Sequence, residues 1–222
     1  MKMFLIVANV LIVSVIAAWN LNHISGTWHY KMTVTVETPE GIKTGYAVRE
    51  VGNSASRHKI GGTPESTPRI HHKGEAVVVD LGARGKLFAI LSGYRLGVDH
   101  SKLIFYYSFG GYTTFDGVKK LNSLPVGTKV TLPIKDYPVF VAFKDINDPK
   151  SVTPVLKIES VTQSGQDDFQ ITENHMEELF GKGVRLKDVA IEITDEKVTW
   201  GTVKTYLGPR HAVGPYEFIK GE

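Results

Sequence analysis

Residues 30–51, YKMTVTVETPEGIKTGYAVREV, alternate apolar and polar side chains with a period of two. Met32, Val34 and Val36 fall on one side of an extended chain, and Thr33, Thr35 and Glu37 on the other, as in a half-buried strand. Pro39-Glu40-Gly41 supplies a fixed φ and then a residue free to adopt φ > 0. A second alternating run, Ile42 to Val51, follows at hairpin distance. EAVVVDL (75–81) and KLFAIL (86–91) predict another hairpin around Gly82-Ala83-Arg84-Gly85. TKVTLPI (128–134), PVFVAFK (138–144) and VRLKDVAIEIT (184–194) predict further strands.

Two stretches carry helical spacing instead. In TFDGVKKLNSL (114–124), Thr114 or Asp116 can cap, Val118 and Leu121 share a face, and Pro125 prevents continuation. In ITENHMEELFG (171–181), Thr172 can cap, Met176, Leu179 and Phe180 share a face, and Gly181 ends the helix. Residues 52–74 hold four glycines, two prolines and few apolar side chains, and read as a long exposed loop. With no internal repeat and no interdomain linker, the expectation is an α+β, strand-rich single domain over 22–222, built on β-hairpins with two or three short helices.

The first 21 residues are different in kind. From Met3 to Trp19 only Asn9 and Ser14 are polar. A surface helix would be amphipathic, and this run is apolar on every face. As a helix it spans about 25 Å, slightly under the roughly 30 Å of a hydrocarbon core. Two readings follow: a retained single-pass anchor over residues 3–19, or a secretory signal in which Val15 and Ala17 precede a cut at Ala18. The anchor is the expected reading. With Lys2 and the N-terminal amine cytoplasmic, residues 22–222 face the outside, the periplasm of a bacterial inner membrane. Signal cleavage would give a soluble periplasmic or secreted protein instead.

Composition narrows the chemistry. The chain has 222 residues, 42% hydrophobic and 22% charged, which describes an ordinary globular protein. Zero cysteines remove disulfides, thiolate nucleophiles and cysteine metal sites. The net charge of +3 is too small for a nucleic-acid-binding face. It is concentrated locally: Arg57, Lys59, Arg69 and Lys73 stand against Glu65 alone. This basic segment, with His58, His71 and His72, suits contact with an anionic lipid surface or an envelope protein.

LIFYYSFGGYTTF packs six aromatic residues into positions 105–115. Phe105, Tyr106, Tyr107 and Tyr112 are candidates for a contact surface, with core packing as the alternative. Asp145, Asn147 and Asp148 in DINDPK offer oxygen ligands, but calcium takes six to eight, and Asx turns explain the same residues. Adjacent His71 and His72 point apart in an extended segment, and no carboxylate is spaced to complete a metal site. Gly85-Lys86 lacks the glycine spacing and the following Ser or Thr of a phosphate loop, and GxSxG is absent. No cofactor is expected.

YKMTVTVETPEG, KGEAVVVDLGARGKLFAIL, FKDINDPKSV and FGKGVRLKDVAIEITDEKV together resemble a group of uncharacterised proteobacterial envelope proteins with an N-terminal apolar segment. The resemblance spans most of residues 28–203. It implies a bacterial origin, an envelope address and one continuous domain, and transfers no catalytic residue. The sequence therefore points to a membrane-anchored binding or structural module. A hydrolase of envelope material, with Asp145, Asp148 or His71 in an acid–base role, is the alternative.

Overall fold

The computed structural model describes residues 22–57, 70–163 and 166–221. The apolar segment 1–21 and the candidates His58, Lys59 and Arg69 lie outside these residues. No helix among the described residues is long and apolar enough to cross a membrane.

The hairpin expected from the alternation forms the spine of the molecule. β1 (His23–Thr38) and β2 (Gly41–Ser56) pair antiparallel along their whole length, from His23 opposite Ser56 to Thr38 opposite Gly41. Gly41 takes φ 120°, the freedom that the turn demands. Trp28, Tyr30, Met32, Val34 and Val36 are buried, while His29, Lys31, Thr33, Thr35 and Glu37 form the opposite face. Arg84 locks the turn: its Nε and Nη2 donate to the two Glu40 oxygens (3.1 and 2.7 Å), and Nη1 donates to Phe180 O (2.8 Å). The Arg84 hydrogen bonds hold the Glu40 carboxyl down at about 2.

β2 runs on to Ser56, and β3 (His71–Glu75) pairs with it, so both ends of the expected loop 52–74 are strands instead. β11 (Arg185–Thr194), β6 (Lys129–Thr131) and β14 (Ile219–Lys220) complete a six-stranded sheet in the order β14-β3-β2-β1-β11-β6. A four-stranded sheet follows the order β4 (Val77–Asp80), β5 (Lys86–Gly93), β7 (Pro138–Phe143), β8 (Val152–Pro154). It is buried on both faces, which accounts for the unbroken Val77-Val78-Val79. Val77, Val79, Leu87 and Phe140 meet the inner side of β1, whereas Val78, Phe88 and Val141 meet Val203, Leu207 and Phe218. β9 (Leu156–Gln163) and β10 (Gln166–Asn174) make a separate ribbon, and β12 (Ala212–Val213) and β13 (Tyr216–Glu217) a small hairpin.

The molecule is strand-rich, and the described residues hold four helices rather than two or three: α1 (His100–Ser108), α2 (Phe115–Asn122), α3 (Met176–Phe180) and α4 (Thr202–Leu207). Thr114 caps α2 by accepting from Gly117 N. Thr172 does not cap α3. Residues 171–174 belong to β10, where Ile171 pairs with Ile158, and Asn174 Oδ1 accepts from Met176 N. Cross-strand pairing outweighs helical propensity there, so only five residues remain helical.

Candidate functional site

The aromatic stretch folds as α1, and its rings divide between two environments. Phe105 belongs to the core, stacked on Trp28 at 5.6 Å and Tyr30 at 5.8 Å, and is no part of a contact surface. Tyr106, Tyr107 and Tyr112 line a groove of about 390 Å³ with Ile70, Lys102 and Thr113. Tyr106 is buried, and its hydroxyl has no hydrogen-bond partner among the described residues. Burial pushes that phenol up. Tyr107 and Tyr112 are exposed and meet edge to face at 6.0 Å, and the Arg95 guanidinium lies over Tyr107 at 4.8 Å.

Tyr112 sits at φ 43°, the positive-φ residue other than glycine among the described residues. Its neighbours explain this strained position. The segment Gly110-Gly111-Tyr112 lies so close to α2 that a Cβ on Gly117 would overlap the Gly111 carbonyl, and one on Gly111 would overlap Leu121. Lys120 Nζ donates to Gly110 O (3.2 Å), and Asn53 Nδ2 donates to Thr113 O (2.9 Å). Tyr112 is thus held in place by a close-packed glycine corner, with its ring against that of Tyr107 on α1.

The basic segment reaches this groove at Ile70, while Arg57 packs on the neighbouring helix α2. Arg57 lies over the Phe115 ring at 4.5 Å, and its N–H donates to Asn22 O (2.8 Å). Ile70 is a wall of the groove. His71 and His72 point to opposite faces, as an extended segment requires: His71 is exposed, while burial, aided by Lys220, lowers the pKa of half-buried His72.

His71 and Lys73 lead instead to a carboxylate with no sequence signature. Register aligns Thr194, His29, Glu50 and Lys73 in one row across four strands. Glu50 Oε2 lies 3.0 Å from His29 Nε2, and Oε1 lies 3.1 Å from Lys73 Nζ and 3.6 Å from His71 Nε2. Burial pushes the Glu50 pKa up, but hydrogen bonds from His29 and Lys73 outweigh it and leave it below the usual value. Lys73 is therefore not a free surface cation.

Asp145, Asn147 and Asp148 are exposed, and one oxygen of each aspartate serves its own loop. Asp145 Oδ1 accepts from Asn147 N (2.9 Å), and Asp148 Oδ1 accepts from Lys150 N (2.9 Å). No trio of His, Asp or Glu suited to a metal occurs among the described residues. A cavity of about 440 Å³ between β7, β8 and the ribbon is walled by Tyr94, Leu156 and Ile158. On its rim, His175 lies between Glu178 (2.8 Å) and Glu173 (3.5 Å), and Lys157 bridges Glu159 and Glu173. Glu50, His29 and His175 gave no sequence signal, because each is an ordinary polar residue until strand pairing supplies its neighbours. Comparison with protein-family models, with curated proteins and with solved structures finds no match.

Proposed function

We propose that this chain is an extracytoplasmic binding module of a bacterial envelope, anchored by residues 3–19. Its tyrosine groove and basic segment engage the anionic head-group layer beside the anchor. The observation that carries this reading is the bond from Arg57 N to Asn22 O. It ties the start of the basic segment to the residue where the chain enters β1. Only two residues lie between Trp19 and Asn22, and the three chain steps reach at most about 11 Å. A helix over residues 3–19 therefore delivers Arg57 close to the membrane surface.

Thr113 is held by Asn53, which pairs with Gly26 near the same end of β1. Tyr107 and Tyr112 supply the amphipathic rings favoured at a bilayer interface. Arg57, with Lys59 and Arg69 in sequence, supplies charge worth about 1 kcal/mol per residue near an anionic surface, whereas Lys102 is paired with Asp99 at 2.6 Å in the groove wall. The hydrolase alternative draws no support from Asp145 or Asp148, each of which uses its Oδ1 to accept from a backbone N–H of its own turn.

The test is hydrogen exchange of the full chain in nanodiscs of phosphatidylcholine alone or with phosphatidylglycerol. Peptides covering 70–73 and 105–113 should gain protection only with the anionic lipid, and Arg57→Glu with Arg69→Glu should abolish the gain. Equal protection in both lipids refutes the reading. The intact mass of the native protein checks the anchor. A species in the soluble fraction lacking residues 1–17 makes it a cleaved, exported protein instead.

A further inference from the structure

A third concave site lies on the outward face of the six-stranded sheet, at the level of His29, about 20 Å along β1 from His23. Its volume is about 390 Å³, at the small end of the roughly 300–1,000 Å³ of small-molecule sites. The floor is Glu50 and His29. One wall is Lys73, and the other is the segment carrying Lys197 and Trp200.

The indole is the unusual element. Trp200 is 37% exposed, a large apolar side chain left in solvent. It is nevertheless anchored on both sides along the chain. Upstream, Thr199 N donates to Val48 O (3.0 Å) and Thr199 Oγ1 accepts from Val48 N (2.9 Å). Downstream, the fully buried Glu75 carboxylate accepts from Thr202 N and Val203 N, both at 3.1 Å. The segment is pinned again where Glu196 O meets His29 Nδ1 at 2.6 Å. The backbone that carries the ring is thus fixed on both sides, so presenting the indole to a stacking ligand costs little backbone entropy.

The polar groups around the ring specify what would stack. Glu50 has two oxygens with more acceptor capacity than His29, His71 and Lys73 use, which suits hydroxyl donors. Lys197 is exposed and makes no ion pair among the described residues. The pocket lining thus holds two lysines and a histidine against one carboxylate. That excess suits a ligand with one negative charge, while Glu50 on the floor repels a densely charged phosphate.

We propose that this pocket binds an acidic saccharide. A pyranose ring stacks on Trp200, its carboxylate pairs with Lys197, and its hydroxyls donate to Glu50. The site is independent of the membrane-facing end, and either reading can fail without the other.

The test uses the full chain in nanodiscs, titrated with cellobiouronic acid and with its neutral counterpart cellobiose, and read by calorimetry and tryptophan emission. The acid should bind with saturable change in both signals, about tenfold more tightly than cellobiose at low salt. Trp200→Ala should weaken binding about tenfold or more, and its melting temperature should report an intact fold. Lys197→Ala should reduce the preference for the acid by about two- to fivefold, the size of an exposed ion pair. Equal binding of both sugars overturns the assignment of an acidic ligand. Absence of binding at millimolar sugar, or unchanged binding by Trp200→Ala, overturns the site.

Discussion

The strained backbone at Tyr112 can be tested by a sign rather than a size. Tyr112→Ala and Tyr112→Gly both remove the ring, so both lose the edge contact with Tyr107, and the two variants differ only in backbone preference. At most positions alanine is the more stable of the pair, because glycine loses about 0.5–1 kcal/mol more entropy on folding. At φ 43° an L-residue carries a left-handed cost of about 1–2 kcal/mol that glycine escapes. The balance favours Tyr112→Gly by about 0.5–1 kcal/mol. For a domain of this size that is about 1–4 °C in melting temperature. Urea titration of both variants, followed by near-ultraviolet circular dichroism, measures the difference. If Tyr112→Ala equals or exceeds Tyr112→Gly in stability, the corner does not hold Tyr112 in the left-handed region. The groove is then not preorganised at Tyr112.

Two further outcomes follow from buried polar groups. His100 is fully buried, and Nε2 lies 2.9 Å from Asp136 O. Burial holds its pKa at about 3 against an ordinary 6.5; the bond to Asp136 O opposes the shift, and Arg49 and Arg95 add to it. The unfolded chain therefore takes up this proton first, so stability present above pH 6.5 is lost as pH falls from about 6.5 towards 3. Within that window the site contributes a slope of about 1.4 kcal/mol per pH unit. His100→Gln should flatten the slope measured by denaturant titration between pH 6.5 and 4, and a curve parallel to wild type refutes the assignment. Glu75→Gln removes the charge behind the cap on α4 and leaves one oxygen for two N–H donors. It should cost about 1–3 kcal/mol and shift Trp200 emission, whereas unchanged stability shows that the cap contributes nothing.

The β1–β2 hairpin, the Gly41 turn, the β4–β5 hairpin and the Thr114 cap were all legible from residues adjacent in the chain. In each case a period of two or a capping side chain acts within a few residues. Helix α1 was not legible. Leu103 to Tyr107 is an unbroken run of bulky side chains with no clear period, and its helical state depends on packing Ile104 and Phe105 against β1. Residues 171–174 are extended rather than helical because they pair with β9, a neighbour that helical spacing within the segment does not reveal. The basic segment and the aromatic stretch were visible separately. Their meeting at Arg57 over Phe115, and at Ile70 beside Tyr106, required the folded chain. Glu50 is the extreme case. Alone it is one polar position on an alternating strand, and its surroundings come from β1, β3 and a segment some 150 residues away. Local rules act through sterics and hydrogen bonds that reach one turn or one strand step, so the sequence carries them openly. A site assembled by strand register and by a returning C-terminal segment is set by long-range packing, and its residues acquire their chemistry only from neighbours that the fold brings to them.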